Sequence, residues 1–234
     1  MASKKKKKEY FPFNGAINGK SKFPLPGRDD RSESIEIFNI DVENKKSLVS
    51  EYKDSNKGYI LCYHGTTSEN AKAIVNSGIN VTKGKSKTDF GQGFYVAENF
   101  DYSRDYVKQS SKEYTVLVFK LNQTFWIEQG NSFYDFDLKE DVDKNWEQYV
   151  AYNRCIVTSG RLNKKSNIKP LLSQLECKSF IRGHVGAKNL ERRPRTSNQT
   201  IAKDPTIQVC IKTNEGAQRF FRFLYAAFSY NDSL

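Results

Sequence analysis

Apolar positions along the chain follow two periods in turn, one of about two residues and one of about 3.6, which is the signature of mixed strands and helices. Ser34 to Ile40 alternates as a strand, and a short helix over residues 43–52 would put Leu48 and Tyr52 on one face. Tyr59 to Tyr63 reads as a strand opened by Gly58. Residues 69–77 read as a helix with Ser68 as N-cap, Ala71, Ile74 and Val75 as inner stripe and Gly78 as terminator. Asp89 to Gly93 forms a tight loop into a strand over Phe94 to Ala97, then a helix near residues 102–109 and a central strand over Tyr114 to Phe119. Trp146, Tyr149 and Val150 have helical spacing within 144–153, and Ile207 to Ile211 is a strand. A last helix is predicted over 215–229, with Ala217, Phe220, Phe221, Leu224 and Phe228 in one stripe. The order is α+β and not a regular βαβ alternation.

Composition sets the frame around these elements. With 234 residues, 37% of them hydrophobic, the chain can bury one sizeable core. Residues 1–32, with lysine at positions 4 to 8, read as a disordered basic arm, and residues 33–234 as a single domain. A net charge of +11 suits polyanionic partners, although a solubilising surface accounts for it equally well. Arg192, Arg193 and Arg195 make the sharpest basic patch, in a loop-rich stretch over 161–206. Cys62, Cys155, Cys177 and Cys210 are scattered and the histidines number 2, so no metal site is expected and a reducing compartment fits. No apolar run approaches the roughly 20 residues of a membrane span. The lysine run leads into Glu9, Tyr10, Phe11 and Pro12 without the apolar region of a signal peptide. The expected location is intracellular, cytoplasmic or nuclear, unless the protein is exported by a route that needs no signal peptide.

Two segments carry candidate chemistry: Cys62-Tyr63-His64-Gly65-Thr66 and Phe90-Gly91-Gln92-Gly93-Phe94-Tyr95. In an extended segment Ile60, Cys62 and His64 share a face, which delivers an imidazole at a strand end beside a glycine. Gly65 lets a ligand approach the backbone, where an N–H and a C=O can pair with a planar amide. Thr66 adds a hydroxyl. The plainer alternative is that His64 and Thr66 cap the following helix. Gly91 and Gly93 clear space for a ligand in front of Tyr95. Ser103 and Tyr106, three apart on a helix, face the same way.

Phe90-Gly91-Gln92-Gly93-Phe94-Tyr95-Val96-Ala97 followed by Ser103-Arg104-Asp105-Tyr106 resembles the FGxGxYxA and SxxY pattern of poly(ADP-ribose) polymerases, and His64-Gly65-Thr66 resembles that family's first motif. The likeness covers about residues 34 to 120. It implies the ADP-ribosyltransferase fold, a split β-sheet core with flanking helices, and NAD as the substrate, with no metal. On the matching positions it implies that His64 orients NAD through ribose hydroxyls and that Gly65 and Ser103 hold the carboxamide. Tyr95 and Tyr106 would sandwich the nicotinamide ring, with Phe94 and Thr66 completing the NAD-binding set.

The family's late glutamate has no obvious counterpart. Gln208 in Ile207-Gln208-Val209-Cys210-Ile211 is the preferred third residue, because this ending resembles compact bacterial DFGxGFY proteins assigned to the same fold. In that reading Phe180 to Gly186 is an intermediate strand. Glu147 or Gln148 is the runner-up. A glutamine cannot act as general base, so the expectation is single transfer of ADP-ribose to a protein or nucleic-acid acceptor. NAD glycohydrolysis, or a non-catalytic module that binds NAD, ADP-ribose or RNA, remains the alternative.

Overall fold

The computed structural model describes residues 20–24, 34–40, 45–85, 87–138, 142–154, 157–158, 161–162, 168–186 and 203–231. The lysine run and the Arg192 to Arg195 patch lie outside them. Among the described residues the strands are β1 (Lys20–Pro24), β2 (Ser34–Ile40), β3 (Ile60–Thr67), β4 (Phe94–Ala97), β5 (Glu113–Leu121), β6 (Phe133–Asp135), β7 (Val157–Thr158), β8 (Arg161–Leu162), β9 (Phe180–Gly186), β10 (Lys203–Ile211) and β11 (Leu224–Asn231). The helices are α1 (Lys45–Ser55), α2 (Ser68–Ser77), α3 (Phe100–Lys108), α4 (Phe125–Glu128), α5 (Val142–Asn153), α6 (Lys169–Glu176) and α7 (Asn214–Phe221). The fold is α+β.

Nine strands form one sheet in the order β1-β2-β11-β5-β3-β4-β10-β9-β6. Its weak seam lies between β3 and β4, which are paired only at Tyr63↔Ala97. On one side of the seam β3 is paired to β5 along its whole length, Ile60↔Leu121 through Thr67↔Tyr114. On the other side β4 is paired to β10 from Gln208↔Ala97 to Ile211↔Phe94. The sheet therefore has two halves that meet at one residue pair and then diverge.

Most elements form where their pattern predicts. Helix α2 starts one residue earlier than expected, with Thr67 as its N-cap accepting from the Asn70 amide. It ends at Gly78, whose φ of 81° suits a residue without a β-carbon. The segment around Trp146 is helical, so it supplies no late strand. Two expectations are corrected. Lys20–Pro24, inside the segment read as a disordered arm, is a strand paired antiparallel to β2; its backbone completes a ladder that its polar composition hid. The predicted last helix stops at Phe221, and Leu224 to Asn231 is a strand between β2 and β5. Ala226 and Phe228 pack into one core and Leu224 and Ala227 into another, on opposite faces of the sheet. A strand buried on both faces shows no alternation, and its continuous apolar run imitates a helix stripe.

The same double burial occurs in β5, where Val116 and Val118 face α3 and Leu117 and Phe119 face the opposite core. The second half-sheet has its own aromatic core, with Phe90, Phe136, Trp146 and Tyr149 packed around Ile181 and Cys210. Phe90 belongs to that core and also opens the glycine loop. The floor of the loop is thus part of a packed interior.

Candidate active site

A cleft of about 1220 Å³ opens where β3 and β4 part. This exceeds the roughly 300–1,000 Å³ of pockets for drug-sized ligands. His64, Gly65, Thr66, Phe94, Tyr95, Ser103, Tyr106 and Gln208 all line it. The structure thus gathers every predicted site residue into one cavity, whereas Glu147 and Gln148 do not line it.

The β3 wall comes first. Gly65 is paired with Val116 of β5, and on the other side β4 has already left. A β-carbon on Gly65 would lie 1.9 Å from the Ser103 carbonyl oxygen, so α3 rests directly on the strand. Only glycine permits that approach. It brings the Ser103 hydroxyl, itself buried, to donate a 3.0 Å hydrogen bond to the Tyr63 carbonyl. With its proton committed there, Ser103 Oγ is left as an acceptor.

His64 Nδ1 lies 2.7 Å from the Tyr95 carbonyl, which can only accept, so Nδ1 carries the hydrogen and Nε2 is left with a lone pair. The ring packs at 4.1 Å on Phe94, tilted by 32°. Burial drives its pKa down to about 4, against a smaller upward pull from the Tyr95 carbonyl. His64 is therefore neutral near pH 7, a hydrogen-bonding group and not a cation.

The sign of the resulting pH dependence follows. The unfolded imidazole takes up a proton below about 6.5 and the folded one only below about 4. The contribution is intact above 6.5 and is lost as pH falls through that window. The wild-type melting temperature is expected to drop over this range more steeply than that of His64→Gln. Equal slopes would show that His64 is not the responsible group.

The β4 wall is built around a loop from Thr88 to Gly93. Tyr95 sends its hydroxyl back into that loop, donating to the Gly91 carbonyl at 2.7 Å and accepting from the Phe90 amide at 2.9 Å, with Thr88 Oγ1 at 2.8 Å. Its ring stacks on Phe90 with centroids 6.4 Å apart and planes 18° apart. Tyr95 is therefore a structural pin as well as a cleft surface. Tyr106 differs, since it is 47% exposed at the cleft's rim. Gly91 has φ of 78°, and a β-carbon there would meet Asn153 Oδ1 at 2.7 Å. Lys212 donates to the Phe90 carbonyl at 2.6 Å and Asn153 to the Asp89 carbonyl at 3.3 Å, which closes the loop against β10 and α5.

Sequence reasoning missed the polar cluster at the back. Asp89, 5% exposed, receives the Arg154 guanidinium through Nε and Nη2 on Oδ1. On Oδ2 it receives the Gly186 amide at 2.8 Å and Gln208 Nε2 at 2.6 Å. Arg154 Nη2 also donates to the Gly186 carbonyl at 2.9 Å. Asp89, Arg154, Gly186, Gln208 and Tyr102 all face the cleft. The one available signal was the acidic residue directly before Phe90-Gly91; Arg154, 65 residues later, offers none. Also unforeseen is the rim formed by Lys83, Lys85 and Lys87, three exposed cations. Among the described residues no cluster of three or more His, Cys, Asp or Glu is placed to hold a metal ion, and no helix is long and apolar enough to cross a membrane.

Residues 60–221 match the family described as "Protein of unknown function (DUF3990)". The chain belongs to this family. The matched span contains every cleft residue named above, from His64 to Gln208, so the DUF3990 region and the cleft are one unit. No curated protein matches the chain.

Proposed function

We propose that the protein is an NAD-dependent mono-ADP-ribosyltransferase with an ADP-ribosyltransferase-like split-sheet fold. The observation that carries this reading is the convergence, at the seam between β3 and β4, of a bare glycine backbone, two tyrosine rings, a neutral histidine and a buried amide. In this reading the nicotinamide carboxamide pairs with the Gly65 backbone, and its NH₂ donates to Ser103 Oγ. Tyr95 and Tyr106 flank the ring. His64 Nε2 accepts from a ribose hydroxyl, and Lys83, Lys85 and Lys87 attract the diphosphate.

The bond between nicotinamide and ribose breaks, nicotinamide leaves neutral with the bonding pair, and the oxocarbenium-like carbon is taken by an acceptor nucleophile whose proton goes to solvent. Because Gln208 cannot deprotonate an acceptor, the reading is single transfer, to a protein or nucleic-acid acceptor. The net charge of +11 supports an acidic or nucleic-acid acceptor. Water as acceptor would make the same cleft a glycohydrolase.

Tyr106→Ala is the decisive variant, since Tyr106 is exposed and its loss leaves the core intact, whereas Tyr95→Ala would unpin the loop. A stacking contact is worth about 1–3 kcal/mol, so nicotinamide release should fall by about tenfold to a hundredfold at subsaturating NAD with an unchanged melting temperature. Intact-mass analysis then separates the outcomes: adducts indicate transfer, and free ADP-ribose alone indicates hydrolysis. Release equal in wild type and variant would overturn the ring assignment. Wild type that binds NAD without cleaving it would leave a binding module.

A further inference from the structure

We infer that Asp89 is a positioning residue that locks the Gln208 side chain as a hydrogen-bond acceptor facing the cleft, so that the ligand must present a hydroxyl donor to it. This rests on the ribose-bearing ligand of the proposed function only for the identity of that hydroxyl.

A carboxylate accepts hydrogen bonds and cannot give them. Asp89 has four donors on its two oxygens: Arg154 Nε and Nη2, the Gly186 amide and Gln208 Nε2. Arg154, one residue past α5, and the Gly186 backbone at the end of β9 fix the carboxylate. The one side chain left to adapt is Gln208, and it can reach Asp89 only with its NH₂ end. The 2.6 Å contact sets which end of the amide is nitrogen, and Oε1 is turned the other way. Gln208 is only 6% exposed and lines the cleft, and its side chain is tied through Nε2 to Asp89. With Nε2 committed to Asp89, Oε1 can only accept, so a ligand that pairs with Gln208 from the cleft must bring the donor.

The consequence runs against simple intuition about this position. Glutamate at 208 would look like an improvement, since a carboxylate accepts more strongly and can act as a base. With Asp89 in place it would set two carboxylates against each other in a buried site. Gln208→Glu should therefore weaken ligand binding, and Asp89→Asn combined with Gln208→Glu should recover it, because the amide and the carboxylate have simply exchanged places.

The test has one arm without ligand and one with NAD. In the ligand-free protein, the Gln208 side-chain NH₂ should give an NMR signal with one strongly downfield, exchange-protected proton, absent in Asp89→Asn. An ordinary, fast-exchanging Gln208 amide in the wild type overturns the inference. In NAD titrations, Asp89→Asn and Gln208→Glu should each bind about tenfold or more weaker than wild type, and the double variant within about threefold of it. Binding by Gln208→Glu at or above the wild-type level overturns the inference, and this holds even where Asp89→Asn does not fold. A wild type that shows the protected amide but does not bind NAD would sink the NAD reading alone and leave the orientation of Gln208 standing.

Discussion

Gly65→Ala is expected to lose about 3 kcal/mol of folding stability and all NAD turnover together. The added methyl would sit 1.9 Å from the Ser103 carbonyl oxygen and 2.8 Å from its carbonyl carbon. Both are backbone atoms of α3, so no rotamer change relieves the clash; strand and helix must move apart. Overpacking a core typically costs about 1–3 kcal/mol, and a backbone against a backbone belongs at the upper end of that range. Against a total of roughly 5–15 kcal/mol the loss is severe. Parting of α3 from β3 also withdraws Ser103 from Tyr63 and carries Tyr106 away from the cleft. Gly58→Ala is the matched control, since nothing lies within 4 Å of a β-carbon there and its effect should stay within about 0.5 kcal/mol. Denaturant midpoints measure both. Equal midpoints for the two variants would mean that α3 does not rest on β3 as described.

Arg154→Ala is the second large effect. It removes the counter-charge from Asp89, whose side chain is 5% exposed beside an arginine that is itself 11% exposed. Breaking a buried pair from one side costs about 3–5 kcal/mol, because the remaining charge is left poorly solvated and uncompensated. The Gly186 amide and Gln208 still donate to Asp89, which places the expected loss near 3 kcal/mol. Adding Asp89→Asn to Arg154→Ala should return part of the stability while leaving ligand binding poor. A double variant less stable than Arg154→Ala alone would show that the pair is not the source of the loss.

Local signals carried much of this architecture. Phe94 to Ala97 forms a strand with those bounds because it is short, apolar and preceded by a glycine turn, and Phe180 to Gly186 is a strand where the resemblance to the bacterial proteins put one. Cleft residues near one another in sequence, His64 with Gly65 and Ser103 with Tyr106, share a strand end and a helix face that local spacing reveals. Legibility fails in two physical situations. Leu224 to Asn231 is buried on both faces, so its pattern holds no period that separates strand from helix. Asp89, Arg154, Gly186 and Gln208 meet across separations of up to 119 residues, and a hydrogen-bonded cluster of that kind leaves no spacing to read. The hydroxyl of Tyr95 illustrates the same limit within a motif: the residue was found, and its bonds to Phe90 and Gly91 were not.

The single pairing at Tyr63↔Ala97 has a bearing on how the molecule stays whole. Between the described strands the chain passes from one half-sheet to the other four times, at β3 to β4, β4 to β5, β5 to β6 and β10 to β11. Neither half is a continuous stretch of polypeptide. Cutting the gene at any one crossing would leave both fragments with an incomplete sheet, so the two halves are woven together and cannot be inherited, expressed or exchanged as separate modules. The weave lets the seam remain nearly free of cross-strand bonds, and a cleft can lie there without dividing the protein in two.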